Sequence, residues 1–257
     1  MNLKLNARCF EIGERLFFSN ATAGDVVVSG EAQGLVRQLT SYANGITPLE
    51  DIALEMNCSE NEILELIDPL LKKNYISIVE NKIKGIVLSS GISQKSIDLL
   101  CEQSDLKHIL KSCPMTGFAI NKDEKFILAI GREENESFFM NVNQQATSLG
   151  IPWIRLAISY NKIFFGPIFF PKQGPCFGCF QTRLFNNNQN DQVERIYDLG
   201  NIELAAIGLI KSEIIKFVDK EKFCNLFEQE NILDLNLFTM ESYKLFKVPG
   251  CDMCANR

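Results

Sequence analysis

The pattern of apolar and polar positions changes period about thirty residues into the chain. Before that point, short apolar runs separated by turn residues predict three strands, at residues 9–12, 15–18 and 25–28. After it, apolar residues recur at helical spacing, first within residues 35–39. The chain is therefore expected to open with three strands that are followed by helices.

Two further helices are predicted from their start signals. Thr47 precedes Pro48, and Glu50 follows three residues after Thr47, which is the pattern of a capping box with proline at the first helical position. Ser59 and Glu62 form a second capping box in front of an apolar face. The residues of that face, at helical spacing, are Ile63, Leu66, Ile67, Leu70 and Leu71.

A closing strand at residues 75–79 completes the order of a winged helix-turn-helix, which is the expected fold of residues 1–82. Many winged helices bind DNA, but residues 47–73 contain seven acidic and two basic residues. Such a helix pair would be repelled by DNA phosphates, and the net charge of −6 adds to that repulsion. We therefore expect no nucleic-acid partner.

Residues 83–257 have a different pattern, in which buried strands alternate with helices. Continuous apolar runs predict strands at residues 125–131, 151–157 and 162–170, with a helix between the first two. A long apolar helix is expected over residues 201–216. Its expected buried residues are Leu204, Ala205, Gly208, Leu209 and Ile215. This alternation predicts an α/β domain with parallel strand pairing.

Two CxxC motifs carry the strongest chemical signal in the chain. The four cysteines are Cys176, Cys179, Cys251 and Cys254. A total of nine cysteines is odd, which argues for a metal site rather than a disulfide framework. Four thiolates suit a closed, structural Zn²⁺ site, with Gly178 and Gly250 allowing tight turns beside the ligands. The alternatives are a redox dithiol and four unrelated thiols.

The N-terminal elements resemble the PqqD-like domain, also called the RiPP recognition element. The resemblance rests on Thr47-Pro48-Leu49-Glu50-Asp51-Ile52-Ala53 followed by the helix and strand of residues 63–76. Members of that family bind the leader of a ribosomal precursor peptide as a strand added to a sheet edge. The implied peptide-binding residues are Asp25, Val26, Val27, Val28, Ile63, Leu66, Ile67 and Leu70. The valines could equally be core residues.

The C-terminal part resembles the ThiF and MoeB family, the relatives of ubiquitin-activating enzymes. The matching segments are the Leu-Gly-Ile-Pro-Trp of residues 149–153 and the Gly-Pro-Cys-x-x-Cys of residues 174–179. The main departure from the family is the lack of a glycine-rich phosphate loop, because Gly91 is the single glycine in residues 86–93. The family also has an acidic residue after the later strand, which should fall near Gly131, and no Asp is present there. The resemblance therefore implies a truncated ThiF-like domain with zinc and without ATP chemistry.

Together the two parts resemble the Ocin-ThiF-like partner subunit of azoline-forming cyclodehydratases, as in microcin-type bacteriocin maturation. In that family a separate YcaO protein uses ATP to close thiazole or oxazole precursors. The resemblance implies a non-catalytic, cytoplasmic homodimer that binds the leader and the YcaO-type subunit, and it admits a flavin dehydrogenase in the complex. The alternatives are an active adenylating enzyme with a divergent ATP loop and a zinc-containing transcriptional regulator.

Neither a secretory signal nor a membrane span is expected. The first six residues form no apolar segment of the kind that signal peptides contain. No uninterrupted apolar run approaches the roughly 18 residues that a membrane helix needs.

Overall fold

The computed structural model of the chain describes residues 1–80, 84–103, 106–113, 120–171, 173–185, 200–219 and 224–254. The chain divides into two compact units, Met1–Lys82 and Ile83–Arg257. Each unit contains a hydrophobic core of its own.

The N-terminal unit combines three helices with two antiparallel, three-stranded sheets. Its elements are β1 Asn2–Leu5, β2 Arg8–Ile12, β3 Arg15–Asn20, β4 Gly24–Val28, α1 Ala32–Tyr42, β5 Asn44–Pro48, α2 Leu49–Glu55, α3 Glu60–Lys72 and β6 Ile76–Val79. One sheet has the order β2–β3–β4 and the other β5–β1–β6. The unit is richer in strands than expected, and its assignment as a winged helix-turn-helix stays a prediction.

The two predicted capping boxes have different outcomes. The second is confirmed, since the Glu62 N–H donates to Ser59 Oγ and the Ser59 N–H donates to Glu62 Oε2. The first is wrong, because Pro48 is the N-cap of α2 and Thr47 lies buried in β5. Asn44 Nδ2 donates to Thr47 Oγ1 (3.1 Å), and β5 pairs with β1. Thr47 and Pro48, which the local pattern assigned to the start of a helix, therefore belong to a paired strand instead.

Tyr75 fixes the start of β4 through hydrogen bonds from its hydroxyl group. Its ring is fully buried in the N-terminal core, directly after α3. Its hydroxyl donates to the carbonyl oxygens of Ala23 (3.0 Å) and Gly24 (3.2 Å). The start of the strand is therefore held at the C-terminal end of α3, while α1 packs against β3 and β4.

The C-terminal unit is built on a seven-stranded mixed sheet. Its elements are β7 Gly85–Ser90, α4 Gln94–Glu102, β8 Leu110–Ser112, β9 Phe126–Arg132, α5 Glu136–Leu149, β10 Trp153–Ile158, β11 Lys162–Phe169, α6 Phe177–Phe185, α7 Gly200–Val218, β12 Gln229–Asp234 and β13 Thr239–Lys244. The sheet order is β13–β12–β11–β10–β9–β7–β8. Strands β8, β7, β9 and β10 are parallel, as predicted, but β11, β12 and β13 are antiparallel to their neighbours.

Helix α7 buries a different face from the one expected. Leu204 is 47% exposed, and Ala205 and Gly208 are also exposed, while Leu209 and Ile215 are half-buried. The residues that α7 buries are Glu203, Ala206, Ile207, Ile210, Glu213, Ile214 and Val218. The expectation was wrong because α7 itself carries apolar residues on all sides, so the sequence pattern alone does not show which side is buried. Neither α7 nor another helix in the described ranges is long and apolar enough to cross a membrane.

An aromatic cluster connects the sheet to α6. Trp153 stacks on Phe169, with ring centroids 4.5 Å apart, and Phe177 and Phe180 pack against Phe169 at 5.9 and 6.2 Å. Phe177 and Phe180 are both buried. This packing holds the first turn of α6, where the first CxxC motif lies, against the core.

Candidate metal centre and peptide-binding edge

The structure brings the four predicted metal ligands together. Their sulfur atoms all lie within 4.8 Å of one another, and all four side chains are buried. Three sulfur–sulfur distances are 3.9 Å for Cys176–Cys179, 3.7 Å for Cys176–Cys251 and 3.5 Å for Cys179–Cys254. The first motif spans the start of α6, and the second lies in the turn after β13.

This arrangement fits a tetrahedral metal ion. Four sulfurs bound to zinc at about 2.3 Å are separated from each other by about 3.8 Å. Three of the distances found here, 3.5–3.9 Å, are close to that value. Burial raises the pKa of the Cys176 and Cys254 thiols, so thiolates are disfavoured at these positions unless a cation offsets their charge. With four protein ligands the shell would be closed, which is the form of a structural site.

The two glycines beside the ligands have different roles. Gly250 has φ +72°, as expected for a tight turn before Cys251. Gly178 is not in this left-handed region. Instead, a Cβ at this position would lie 2.6 Å from Met253 Sδ, so Gly178 allows the second motif to approach α6 closely. The Val248 N–H also donates to Cys179 Sγ (3.3 Å), which ties the approach of the second motif to the first.

The predicted peptide-binding strand lies at a sheet edge. Among the described residues, β4 pairs only with β3, with Val26 opposite Phe18 and Val27 opposite Phe17. Asp25 is exposed and Val27 is 48% exposed. Val26 and Val28 instead pack on the N-terminal core. Val26 and Val28 are therefore core residues, whereas Val27 is available for contact with a peptide.

The four predicted peptide-binding residues of α3 are placed unequally. Ile63, Ile67 and Leu70 are buried in the N-terminal core and offer almost no surface to a peptide. Leu66 is partly exposed beside them. The first three residues therefore fix the helix to the core, and only Leu66 has surface available for contact.

An apolar row across the outer face of the β2–β3–β4 sheet was not predicted. Phe10, Phe17 and Val27 are successive cross-strand partners, and the rings of Phe10 and Phe17 stack at 5.5 Å. Phe10 and Ile12 are exposed. The available signal was that β3 and β4 carry apolar residues at consecutive positions, so both faces of the sheet are apolar.

The candidate phosphate loop at residues 86–93 forms the end of β7 and the cap of α4. Ser93 is the N-cap, and its Oγ accepts from the Ser96 N–H. Gly91 has φ +70° and begins the turn. Arg132 ends β9, next to the position where the family resemblance leads one to expect an acidic residue.

Comparisons with known proteins identify related folds but no family. No family model and no curated protein sequence matches the chain. The structure resembles the heterocyclase TruD, with a TM-score of 0.59 and 14% identity over 99% of this chain and 43% of that one. It also resembles a heterocyclase in complex with substrate and cofactor, with a TM-score of 0.61 and 15% identity over 99% and 39%.

A third solved structure is similar over the whole of both chains. A chain of the E. coli microcin synthetase McbBCD complex with pro-MccB17 bound has a TM-score of 0.60 and 10% identity, over 99% of this chain and 100% of that one. The present chain thus spans about two fifths of the two heterocyclase chains and the full length of the microcin synthetase chain. At these identities, the likeness establishes a shared fold.

Proposed function

We propose that the chain binds the leader of a ribosomal precursor peptide and presents the peptide core to a YcaO-type, ATP-dependent cyclodehydratase. The product of that partner is a thiazole or oxazole precursor in a bacteriocin-like peptide. The observation that carries the proposal is the open β4 edge, in a chain with the fold of a microcin synthetase subunit. The heterocyclase chains, which are more than twice as long, support a separate catalytic partner for this shorter chain.

Strand addition explains how the edge would hold a leader. The peptide backbone would pair with the outward N–H and C=O groups of β4, which supplies affinity with little dependence on sequence. Peptide side chains would then alternate between the two faces of the sheet. One set would extend the outer row of Phe10, Phe17 and Val27, and the other would lie beside Val26 and Val28. Leaders with apolar residues at alternating positions fit this edge best.

The bound leader would act as a tether. Holding one part of a flexible peptide raises the local concentration of the rest, to about the millimolar range for a short linker. The core segment could then reach the catalyst without a specific binding site for each modified residue. This explains how one recognition unit can serve several positions in one peptide.

The metal centre is proposed to be a structural zinc site. Cys176, Cys179, Cys251 and Cys254 would hold Zn²⁺, whose role would be to bind the turn after β13 to the start of α6. The fully occupied shell would leave no coordination position for water or substrate. The chain itself would be non-catalytic, and its C-terminal unit would serve for homodimer formation and for docking of the cyclodehydratase and any flavin dehydrogenase in the complex.

Leader binding can be tested at Val27 by fluorescence polarisation. The probes are fluorescein-labelled leader segments of precursor peptides encoded beside the gene, titrated with the full chain. We expect low-micromolar binding, weakened at least about tenfold by Val27→Asp, because a buried charge would lie beside the added strand. Leu54→Asp is the matched control, since Leu54 is an 80% exposed apolar residue of the same unit, on α2. If V27D and the wild type bind the leader equally well, the β4 edge is not the leader-binding site.

The adenylating alternative makes an opposite prediction. An adenylating enzyme catalyses ATP–pyrophosphate exchange in the presence of its peptide, without a partner protein. We expect no exchange by the purified chain with any leader that it binds. Exchange that depends on this chain would replace the non-catalytic role by an enzymatic one.

A further inference from the structure

The C-terminal unit has a topological switch point between β7 and β9. From β7 the chain passes through α4 to β8 on one side, and from β9 it passes through α5 to β10 on the other side. Doubly wound sheets bind their ligands in the crevice at this point, with phosphates at a helix N-terminus. In this chain the crevice lies at the carboxyl ends of β7 and β9, in front of α4.

The position in front of α4 is filled by a carboxylate of the chain itself. Glu203, in the first turn of α7, is 3% exposed. Its Oε2 accepts from the Ser93 N–H (3.3 Å), the Ser93 hydroxyl (2.6 Å) and the Ser96 hydroxyl (2.7 Å). Its Oε1 accepts from Arg132 Nη2 (3.2 Å). A backbone amide, two hydroxyls and a guanidinium thus surround one carboxylate.

The rest of the crevice is joined by contacts of the same kind. Arg132 Nε donates to the Gly91 carbonyl oxygen (2.8 Å), which fixes the turn after β7. Asn135, the N-cap of α5, donates from Nδ2 to Ser90 Oγ (2.5 Å). Arg132 Nη1 is buried and has no hydrogen-bond partner among the described residues. The end of β9 therefore presents a fixed positive charge toward the crevice, and Glu203 supplies the anion.

We propose that the Glu203 carboxylate occupies the place where a nucleotide phosphate would bind in this crevice, and that it thereby excludes nucleotides. The site formed by Ser93, Ser96, Arg132 and Glu203 is called the Glu203 corner below. A phosphate in front of α4 would need the amide, hydroxyl and guanidinium donors that Glu203 already uses, and it would face the negative carboxylate at close range. The same contacts bind the start of α7 to the start of α4. A glycine-rich loop is unnecessary here, because an internal carboxylate reaches the helix terminus without a close backbone approach. This inference stands independently of the leader-binding role.

Removing Glu203 tests the inference with inorganic phosphate as the probe. Glu203→Ala leaves the four donors without an anion, so the variant is expected to gain phosphate binding. Its melting temperature should rise by about 3 °C or more in about 100 mM phosphate, compared with chloride at equal ionic strength. The wild type should show no such difference between the two salts.

Glu213→Ala is the matched control. Glu213 is also a buried glutamate of α7, but its carboxylate accepts from Lys216 and Asn225, outside the corner. E213A should therefore be less stable than the wild type in both salts, without a response specific to phosphate. A phosphate response of E203A no larger than that of E213A, or an equal response of the wild type, would overturn the inference.

A second variant covers poor folding of E203A. Glu203→Gln keeps the side-chain volume and is expected to fold without a phosphate response. If E203A is unfolded in chloride, phosphate should restore its folded state, and failure to do so while E203Q folds contradicts the inference. Leader binding by the same variants separates the proposals, since loss of the phosphate effect with intact leader binding would remove only the role of Glu203.

Discussion

The two polar sites of the C-terminal unit balance their charges in opposite ways. The cysteine cluster gathers four groups of one kind, with sulfurs that all lie within 4.8 Å of one another, and four thiolates so close together need a cation. The Glu203 corner contains one carboxylate, one guanidinium and neutral donors, and these groups satisfy both oxygens of the carboxylate. The difference lies in where the balancing charge comes from: the four cysteines are grouped so that they could hold a metal ion, whereas the Glu203 carboxylate is already paired with a cation of the same chain.

The largest effect is expected from breaking the cluster. Cys179→Ser removes a thiolate ligand, and because metal binding and folding are coupled, zinc loss should cost the C-terminal unit much of its stability. We expect loss of stoichiometric zinc in elemental analysis and a fall in melting temperature of about 10 °C or more. Chelation of the wild type should have the same effect on its thermal unfolding.

Cys224→Ser is the control for this change. Cys224 is fully buried, outside the cluster, and burial raises the pKa of its thiol to about 12. C224S is expected to lose some packing, so zinc content is the decisive measurement, and it should stay at one ion per chain. Stoichiometric zinc in purified C179S would show that the four sulfurs do not form the ligand set.

An intermediate effect is expected from unbalancing the corner. Arg132→Met leaves the buried Glu203 carboxylate without its cation, and it should lower the free energy of unfolding by about 3 kcal/mol. The double variant R132M/E203Q should cost about 1–3 kcal/mol less than the sum of the two single variants, because it removes both charges. Urea unfolding of the four proteins measures this coupling. Additive effects would mean that the two side chains do not stabilise each other.

The different predictability of the two sites follows from how they are built. Each CxxC motif is local, and its cysteine side chains have few uses besides metal and redox chemistry, so the ligands were recognisable in the sequence. The corner joins Ser93, Arg132 and Glu203, which lie far apart along the chain and belong to common residue types. Its key residue also lies on α7, whose apolar residues occur on all sides and led to prediction of the wrong face.

The fold shows the same division. The capping box of α3, helix α5 and strands β9 and β10 were predictable, because their signals lie within one segment. Strand β1 and its pairing with β5 were missed, since short strands depend on partners that are distant in sequence. At the peptide edge, the sequence indicated the strand, but only packing revealed that Ile63, Ile67 and Leu70 are inaccessible.

A third buried charge site extends the comparison to a pair that pH can unbalance. Arg155 Nη1 and Glu230 Oε1 are 2.6 Å apart across the sheet, and both residues are buried. The guanidinium lies between the rings of Phe139 and Phe180, 5.0 and 4.8 Å from their centroids. Burial lowers the pKa of Arg155 and raises the pKa of Glu230, and the attraction between the two charges opposes both shifts. The negative charge of Glu133 raises the pKa of Glu230 further. Burial of two opposite charges is thus only partly offset by their attraction.

The smallest expected effect is the pH dependence of this pair. Burial raises the pKa of Glu230 from its ordinary value of 4.5 to about 7. The folded state therefore holds this proton more tightly than the unfolded state, so the stability that it contributes at low pH is lost as the pH rises through 7. The loss is at most about 3 kcal/mol. Glu230→Gln should flatten the decline in unfolding free energy between about pH 5 and 7.5, although it leaves Arg155 unpaired and lowers stability throughout.

Asp234→Asn provides the reference for that slope. Asp234 lies on the same strand, β12, and its carboxylate is 3.9 Å from Lys162 Nζ near the surface. D234N should keep the pH dependence of the wild type. Since both variants retain the four cysteines, proton competition at the metal centre affects them equally, and the difference between their urea-unfolding curves isolates Glu230. If the slopes of E230Q and D234N agree, Glu230 is ionised across the whole range, and the Arg155 pair is balanced in the same way as the Glu203 corner.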